Sequence, residues 1–257
     1  MLEKLHRNTK ALVIGGTQGL GFAVAEALLR EGCTNVVISG RDDVKGLKAA
    51  KELGATYLTA ELADTDAIVG LVDKAIERLG SVNAMVIAGA LTDRGSIIDT
   101  DRATYDRIMT ANTRSPFFAI QRMANHAIAK GHSAAIVNIL SMSAHCGQSF
   151  LAPYSASKAA LANITKNAAQ ALRARKIRVN GINCGWMNTP GEDATQRKYH
   201  GAGDDWLAEA EARQPFGTLV DPAHVAWLVS YMLSSASGVM TGSIVDFDQY
   251  VAGAYPE

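Results

Sequence analysis

The chain has 257 residues, enough for one α/β domain or two small ones, and its 48% hydrophobic and 19% charged content is that of a folded protein rather than a disordered one. Lys and Arg number 25 and Asp and Glu 25, so the formal net charge is zero and offers no handle to nucleic acid or to an anionic membrane surface. Cys33, Cys146 and Cys184 are scattered without CxxC spacing, the six His form no HExxH, and no run approaches the roughly 18–20 apolar residues of a membrane span. With no apolar signal core in the first ten residues, the expectation is a cytoplasmic protein without disulfides or a metal site.

In chain order, residues 11–14 are a short apolar run that enters a glycine cluster. Leu20, Ala23, Val24, Ala27 and Leu28 then form a helical stripe, and 35–39 (NVVIS) is a second β-branched run. Residues 56–60 read as a weaker third strand. Ile68, Leu71, Val72, Ala75, Ile76 and Leu79 form another stripe, with Asp64 or Thr65 as its N-cap. Residues 83–88 are strand-like and close on Gly89. Helical stretches follow around 101–111 and 116–129, the second with Pro116 in its first turn. A strand at 134–140, a helix at 157–172 and a strand at 177–183 come next. Residues 190–215 break the rhythm: they are polar and charged, with a short helix at 205–213. Asp221-Pro222 caps a helix through Leu233, and 243–248 is the last strand. Strands alternating with amphipathic helices, without repeat or linker, predict an α/β fold: one doubly wound Rossmann-type domain over 1–257, with a mostly parallel seven-stranded sheet and helices on both faces.

Two stretches carry chemistry. The first strand runs through Gly15-Gly16-Thr17-Gln18-Gly19-Leu20-Gly21 directly into a helix. Glycines let the backbone turn tightly and approach a pyrophosphate, and the helix N-terminus offers unpaired N–H groups, so this turn predicts nucleotide binding. The spacing is GxxxGxG, not the GxGxxG of the general dinucleotide fingerprint. Tyr154 and Lys158 lie four apart at the start of a helix, hence one turn apart on one face. An ammonium there is expected to lower the phenol pKa toward the working range of an acid–base catalyst.

The glycine spacing and the Tyr154-Ser155-Ala156-Ser157-Lys158 pentad together resemble the short-chain dehydrogenase/reductase family, over about residues 10–250. The resemblance implies an NAD(P)-dependent oxidoreductase that interconverts a secondary alcohol and a ketone. It implies a cofactor site at Gly15, Thr17, Gln18, Gly19, Leu20 and Gly21, then Glu61 and Leu62 at the adenine, Ala88 and Gly89 after the fourth strand, and Gly185, Met187 and Thr189 near the carboxamide and diphosphate. Tyr154 and Lys158 would also touch the nicotinamide ribose. Ser141, at a strand end thirteen residues before Tyr154, matches the family's catalytic serine, with Ser143 as a nearby competitor; Asn112 matches its fourth catalytic residue, which keeps a water chain from Lys158 to solvent. In this assignment Tyr154 moves the proton, Ser141 holds the oxygen and Lys158 supports Tyr154. Ile14, Ile87 and Cys184 depart from the family pattern, which has Thr, Asn and Pro at those places. For Cys184 a small buried filler and an oxidant-sensitive thiol both stand.

Gly40 occupies the place where NAD-dependent members carry Asp, and Arg41 follows it, which favours NADP. Asp42 and the lack of a basic residue at Gln18 keep NAD open. The substrate pocket is expected to include Ser141, His145, Gln148, Tyr154 and Trp186, with 190–215 as a substrate-binding loop or lid. Its polar lining favours a small sugar or polyol. The alternatives are a 3-oxoacyl thioester reductase and, from another class, a cofactor-binding regulator without catalysis. The family implies a homo-oligomer, tetramer or dimer, with a small-molecule substrate as its other partner.

Overall fold

The computed structural model describes residues 5–254. Seven strands form one sheet: β1 (Lys10–Ile14), β2 (Asn35–Gly40), β3 (Thr56–Thr59), β4 (Ala84–Ile87), β5 (Ala134–Ile139), β6 (Ile177–Cys184) and β7 (Ile244–Phe247). Their order is β3-β2-β1-β4-β5-β6-β7, and every neighbouring pair is parallel. This is the doubly wound arrangement expected from the alternation, with the winding reversing between β1 and β4.

Both faces of the sheet are covered, which is why the central strands read as unbroken apolar runs. In β1, Ala11 and Val13 join one core while Leu12 and Ile14 join the other. The first core is closed by α1 (Gly19–Arg30), through Leu20, Val24 and Leu28, and by α9 (Pro222–Leu233), through Val225, Val229 and Met232. The second is closed by α3 (Thr65–Leu79), through Ile68, Leu71 and Val72, and by α5 (Ser115–Lys130), through Ala119, Ile120 and Met123. Asp64 rather than Thr65 caps α3, accepting from Ala67 N at 2.9 Å.

Two helices depart from the sequence expectation. α2 (Asp43–Leu53) was not anticipated, because it buries only Gly46, Ala49 and Ala50 and leaves Val44 and Leu47 exposed. Its signal is in its ends: the Asp42 side chain accepts from Lys45 N and Gly54 closes it in the left-handed conformation. Asp42 is thereby a helix cap. α7 (Pro190–His200) occupies the first part of the 190–215 segment, where no helix was expected, and α8 (Trp206–Ala212) follows where the short helix at 205–213 was expected. α7 has no buried residue and so no stripe, but Thr189 caps it, Pro190 starts it, Glu192 and Asp193 sit in its first turn, and Arg197, Lys198 and His200 in its last. The remaining helices are α4 (Arg102–Met109) and α6 (Ala152–Leu172). Residues 110–114 between α4 and α5 form a π-helical turn.

Candidate active site

The turn after β1 touches the turn after β4. Gly15 has φ +82°, and a Cβ there would lie 2.4 Å from Gly89 N, so only glycine lets the two backbones meet. The chain then enters α1 at Gly19 without a side-chain cap from Gln18 and without an acidic residue in the first turn. The first N–H groups of α1 are thus left facing a crevice at the strand ends, the arrangement that receives a phosphate.

A cavity of about 1070 Å³ opens from this crevice, at the upper end of the roughly 300–1,000 Å³ usual for small-molecule sites. Gly15, Thr17, Gln18, Gly19, Leu20 and Gly21 form one end of its wall. Arg41, Glu61 and Leu62, then Ala88 and Gly89, and Gly185, Met187 and Thr189 also line it. Arg41 and Glu61 are 3.9 Å apart and largely exposed, a loose surface pair. Lys45, on the first turn of α2, adds a second cation to that part of the wall, one that the unrecognised helix hid from the sequence.

Ser141, Tyr154 and Lys158 meet at the far end. Ser141 follows β5 and starts a short 3-10 turn, where its Oγ accepts from Ser143 N at 3.2 Å and from Ser143 Oγ at 3.0 Å. Ser143 also lines the cavity, with its hydroxyl committed to Ser141 Oγ. Tyr154 and Lys158 lie on successive turns of α6, which starts with Pro153 in its first turn. Lys158 is 2% exposed, and its Nζ donates to Ile139 O at 2.7 Å and sits 5.8 Å from the Tyr154 ring centre.

The electrostatics differ from the sequence expectation. Burial pushes the Tyr154 phenol up to about 12; the Ser141 hydrogen bond draws it back, Cys184 and Glu192 add to the rise, and Arg94 works against it. Burial also pulls the Lys158 ammonium down to about 8, with a small opposing contribution from Cys184. Burial dominates both groups, so the phenol stands above its ordinary value and the ammonium below its own. Cys184 is 5% exposed, and burial pushes its thiol up to about 12, which leaves little thiolate at neutral pH and favours the buried-filler reading.

Asn112 does not line the cavity. It sits 1% exposed in the π-helical turn, where its amide accepts from Leu91 N at 2.8 Å and donates to Leu91 O at 2.9 Å and Ser157 Oγ at 3.0 Å. Ser157 Oγ in turn donates to Tyr154 O at 2.7 Å. Asn112 thus ties the loop after β4 to the helix that carries Tyr154.

At the substrate end Gln148 and Trp186 line the cavity, and Trp186 Nε1 donates to Glu192 Oε1 at 2.8 Å. His145 is a correction: its ring turns to Asp246 Oδ1 and Asn183 Nδ2, each at 2.8 Å, and lines an adjoining shallow depression instead of the cavity itself. A carboxylate on β7 and an amide on β6 capture the imidazole, a contact that no local sequence pattern reveals. Arg94 and Glu192 were missed for the opposite reason. They line the cavity but belong to a connection and to α7, with no recognisable motif around them.

Comparison with known proteins bears on the family and the fold. A family model described as enoyl-(acyl carrier protein) reductase matches residues 15–249. An NADP-dependent (R)-specific alcohol dehydrogenase of Lentilactobacillus kefiri is 32% identical over 91% of this chain and 92% of its own length. A 2-dehydro-3-deoxy-D-gluconate 5-dehydrogenase of Escherichia coli (strain K12) is 30% identical over 93% of each. A solved structure described as a short chain dehydrogenase/reductase family protein superimposes with a TM-score of 0.83 at 30% identity, covering 96% of this chain and 97% of that one.

Proposed function

The chain belongs to the short-chain dehydrogenase/reductase family and is an NAD(P)-dependent oxidoreductase acting on CH–OH groups, and within that class we propose that it interconverts a small sugar or polyol with its ketone, using NADP. The observation that carries the chemistry is the placing of Ser141, Tyr154 and buried Lys158 together on one wall of the cavity.

A nicotinamide cofactor bound along the glycine crevice supplies or accepts the hydride. The chain's own residues do the rest. The open N–H groups of α1 would hold the diphosphate, and the contact between Gly15 and Gly89 would leave room for it against the backbone. Tyr154, protonated at neutral pH, gives its proton to the carbonyl oxygen as negative charge builds there, and takes it back in the oxidation direction. Ser141, held by Ser143, donates to the same oxygen. Lys158 holds a positive charge beside the Tyr154 ring, and Asn112 positions Tyr154 through Ser157 and steadies the loop at Leu91. Gln148 and Trp186 orient the substrate, and α7 with α8 forms the lid over it, fastened by the 2.8 Å bond from Trp206 Nε1 to Asp193 Oδ1. His145 no longer belongs among the substrate groups.

NADP is supported by Gly40, which places no carboxylate at the end of β2, and by Arg41 and Lys45 on the adjoining wall. The named activity of the Lentilactobacillus kefiri relative agrees with it, and that of the Escherichia coli relative supports a sugar-derived substrate. Free Cys33, Cys146 and Cys184 suit a cytoplasmic enzyme. A homotetramer is supported by Ile97 and Ile98, each 93% exposed beside the depression lined by Ala156 and Ala159 of α6. The test is a panel of polyols, sugars and acetoacetyl thioester with each cofactor, followed by nicotinamide absorbance. Turnover of polyols or ketoses with NADP is the expected result, and activity confined to the thioester overturns the substrate assignment.

A further inference from the structure

We propose that Arg94 is a specificity-determining residue that pairs with a carboxylate on the substrate, so that the preferred substrates are hydroxy acids or oxo acids of the sugar type, aldonates above alditols. This rests on the assignment of the cavity as a sugar or polyol site and narrows it.

Arg94 lies in the connection between β4 and α4 and lines the cavity with Gln148 and His200. Its backbone is clipped to the segment just before Tyr154. Gly95 N donates to Phe150 O at 2.9 Å and Ala152 N to Gly95 O at 3.0 Å. Arg94 therefore shares a wall with the proton-transfer residue.

Its guanidinium is held by groups that do not neutralise it. It stands 5.4 Å from the Phe150 ring centre and 5.7 Å from that of Tyr199, two cation–π contacts that hold the guanidinium in place. His200 Nε2 lies 3.0 Å from Nη2 and 3.4 Å from Nε, and Thr92 O accepts from Nη1 at 3.2 Å. That leaves one N–H on each terminal nitrogen without an acceptor among the described residues. The nearest carboxylate in sequence, Asp93, faces away: it takes Arg107 at 2.9 Å and the Tyr199 hydroxyl at 2.8 Å, with Lys198 at 4.0 Å. The Glu192 carboxylate is taken by Trp186 Nε1 at 2.8 Å and Gln196 Nε2 at 2.7 Å. Among the described residues Arg94 has no anionic partner, although it is half-buried and preorganised. A planar fork with free N–H groups fits a carboxylate, whereas a neutral polyol would leave that charge unpaired.

Paired substrates differing only at the terminal carbon test this: D-gluconate against D-glucitol and D-galactonate against galactitol, with wild type, Arg94→Gln and Arg94→Lys. Wild type is expected to favour the aldonate of at least one pair by 10-fold or more in kcat/KM. Arg94→Gln should lower kcat/KM on aldonates roughly 10–100-fold more than on alditols, through KM, and Arg94→Lys should restore part of that loss. Calorimetric titration of the same compounds into the NADP complex should show the same dependence of aldonate affinity on Arg94. No preference for any aldonate, or an equal loss on both partners of a pair in Arg94→Gln, overturns the proposal. If wild type turns over no member of the panel, the polyol assignment fails by itself, and the calorimetry decides Arg94. Aldonate binding lost in Arg94→Gln supports its role, and aldonate binding that is absent in wild type or indifferent to the change overturns it.

Discussion

Lys158 Nζ, 2% exposed, donates a 2.7 Å hydrogen bond to the carbonyl of Ile139 on the neighbouring strand β5. One neutral acceptor does not offset the desolvation of a buried ammonium, so the group holds its proton less tightly than in water. The unfolded chain keeps that proton to about 10.5 and the folded chain releases it at about 8. Folding therefore releases a proton between those values, and stability rises with pH across that window. Below pH 8 the full penalty applies, on the order of 3 kcal/mol. Lys158→Met should raise the denaturation midpoint of the cofactor-free protein at pH 7, and this gain should shrink as pH rises from 8 to 10.5. A variant no more stable than wild type at pH 7 removes the argument. The same substitution should abolish turnover.

Tyr154→Phe removes the transferred proton while keeping the ring on α6. Turnover should fall by about 10²–10⁴-fold with cofactor affinity kept, as read by steady-state rates and by nicotinamide fluorescence on binding. Normal activity would falsify the assignment of Tyr154.

The direction of the reaction should set the shape of the pH profile. With Tyr154 protonated up to about 12, ketone reduction has its acid available at neutral pH, and its rate should decline above about 8 as Lys158 loses its charge. Alcohol oxidation needs the phenolate and should rise with pH over the same range. Parallel profiles in the two directions would contradict these roles.

Asn112→Ala leaves both main-chain polar groups of Leu91 without their side-chain partner. The cost should be about 1–3 kcal/mol in urea denaturation, since buried polar groups lose their bonds. Because Ser157 links Asn112 to the Tyr154 carbonyl, kcat should fall as well, with a smaller change in KM.

Arg41→Ala should weaken NADP binding by up to about tenfold and leave NAD binding little changed, because the side chain is 68% exposed and its phosphate contact is partly screened. Combined with Lys45→Ala the loss should grow. An equal effect on both cofactors would show that neither cation reads the 2′-phosphate.

The strands and the sheet were legible because burial on both faces writes itself as continuous apolar runs, as in Leu12, Val13 and Ile14. The glycine crevice was legible because the meeting of Gly15 with Gly89 excludes any Cβ and leaves a fixed spacing behind. The helices α2 and α7 were not, since they bury almost nothing and are specified by their caps alone. The rotation of His145 toward Asp246 was not legible either: the two residues are 101 apart, and only the closed sheet brings them together. Arg94 escaped for a similar reason, because its aromatic supports come from Phe150, just before α6, and Tyr199 on α7.

The wide turn at 110–114 also dictates where this chain can accept insertions and deletions. An α-helix advances about 100° per residue, and a π-helical turn holds one residue more than the α-helical turn it replaces. That added residue sets the phase between α4 and α5: it puts Asn112 opposite Leu91 and Ser157 while Ala119, Ile120 and Met123 face the sheet. Deleting any one residue from 110–114 would restore a regular helix and swing one of those two sets out of position. Sequences descended from a common ancestor with this chain should therefore keep an unbroken count from Arg102 to Lys130.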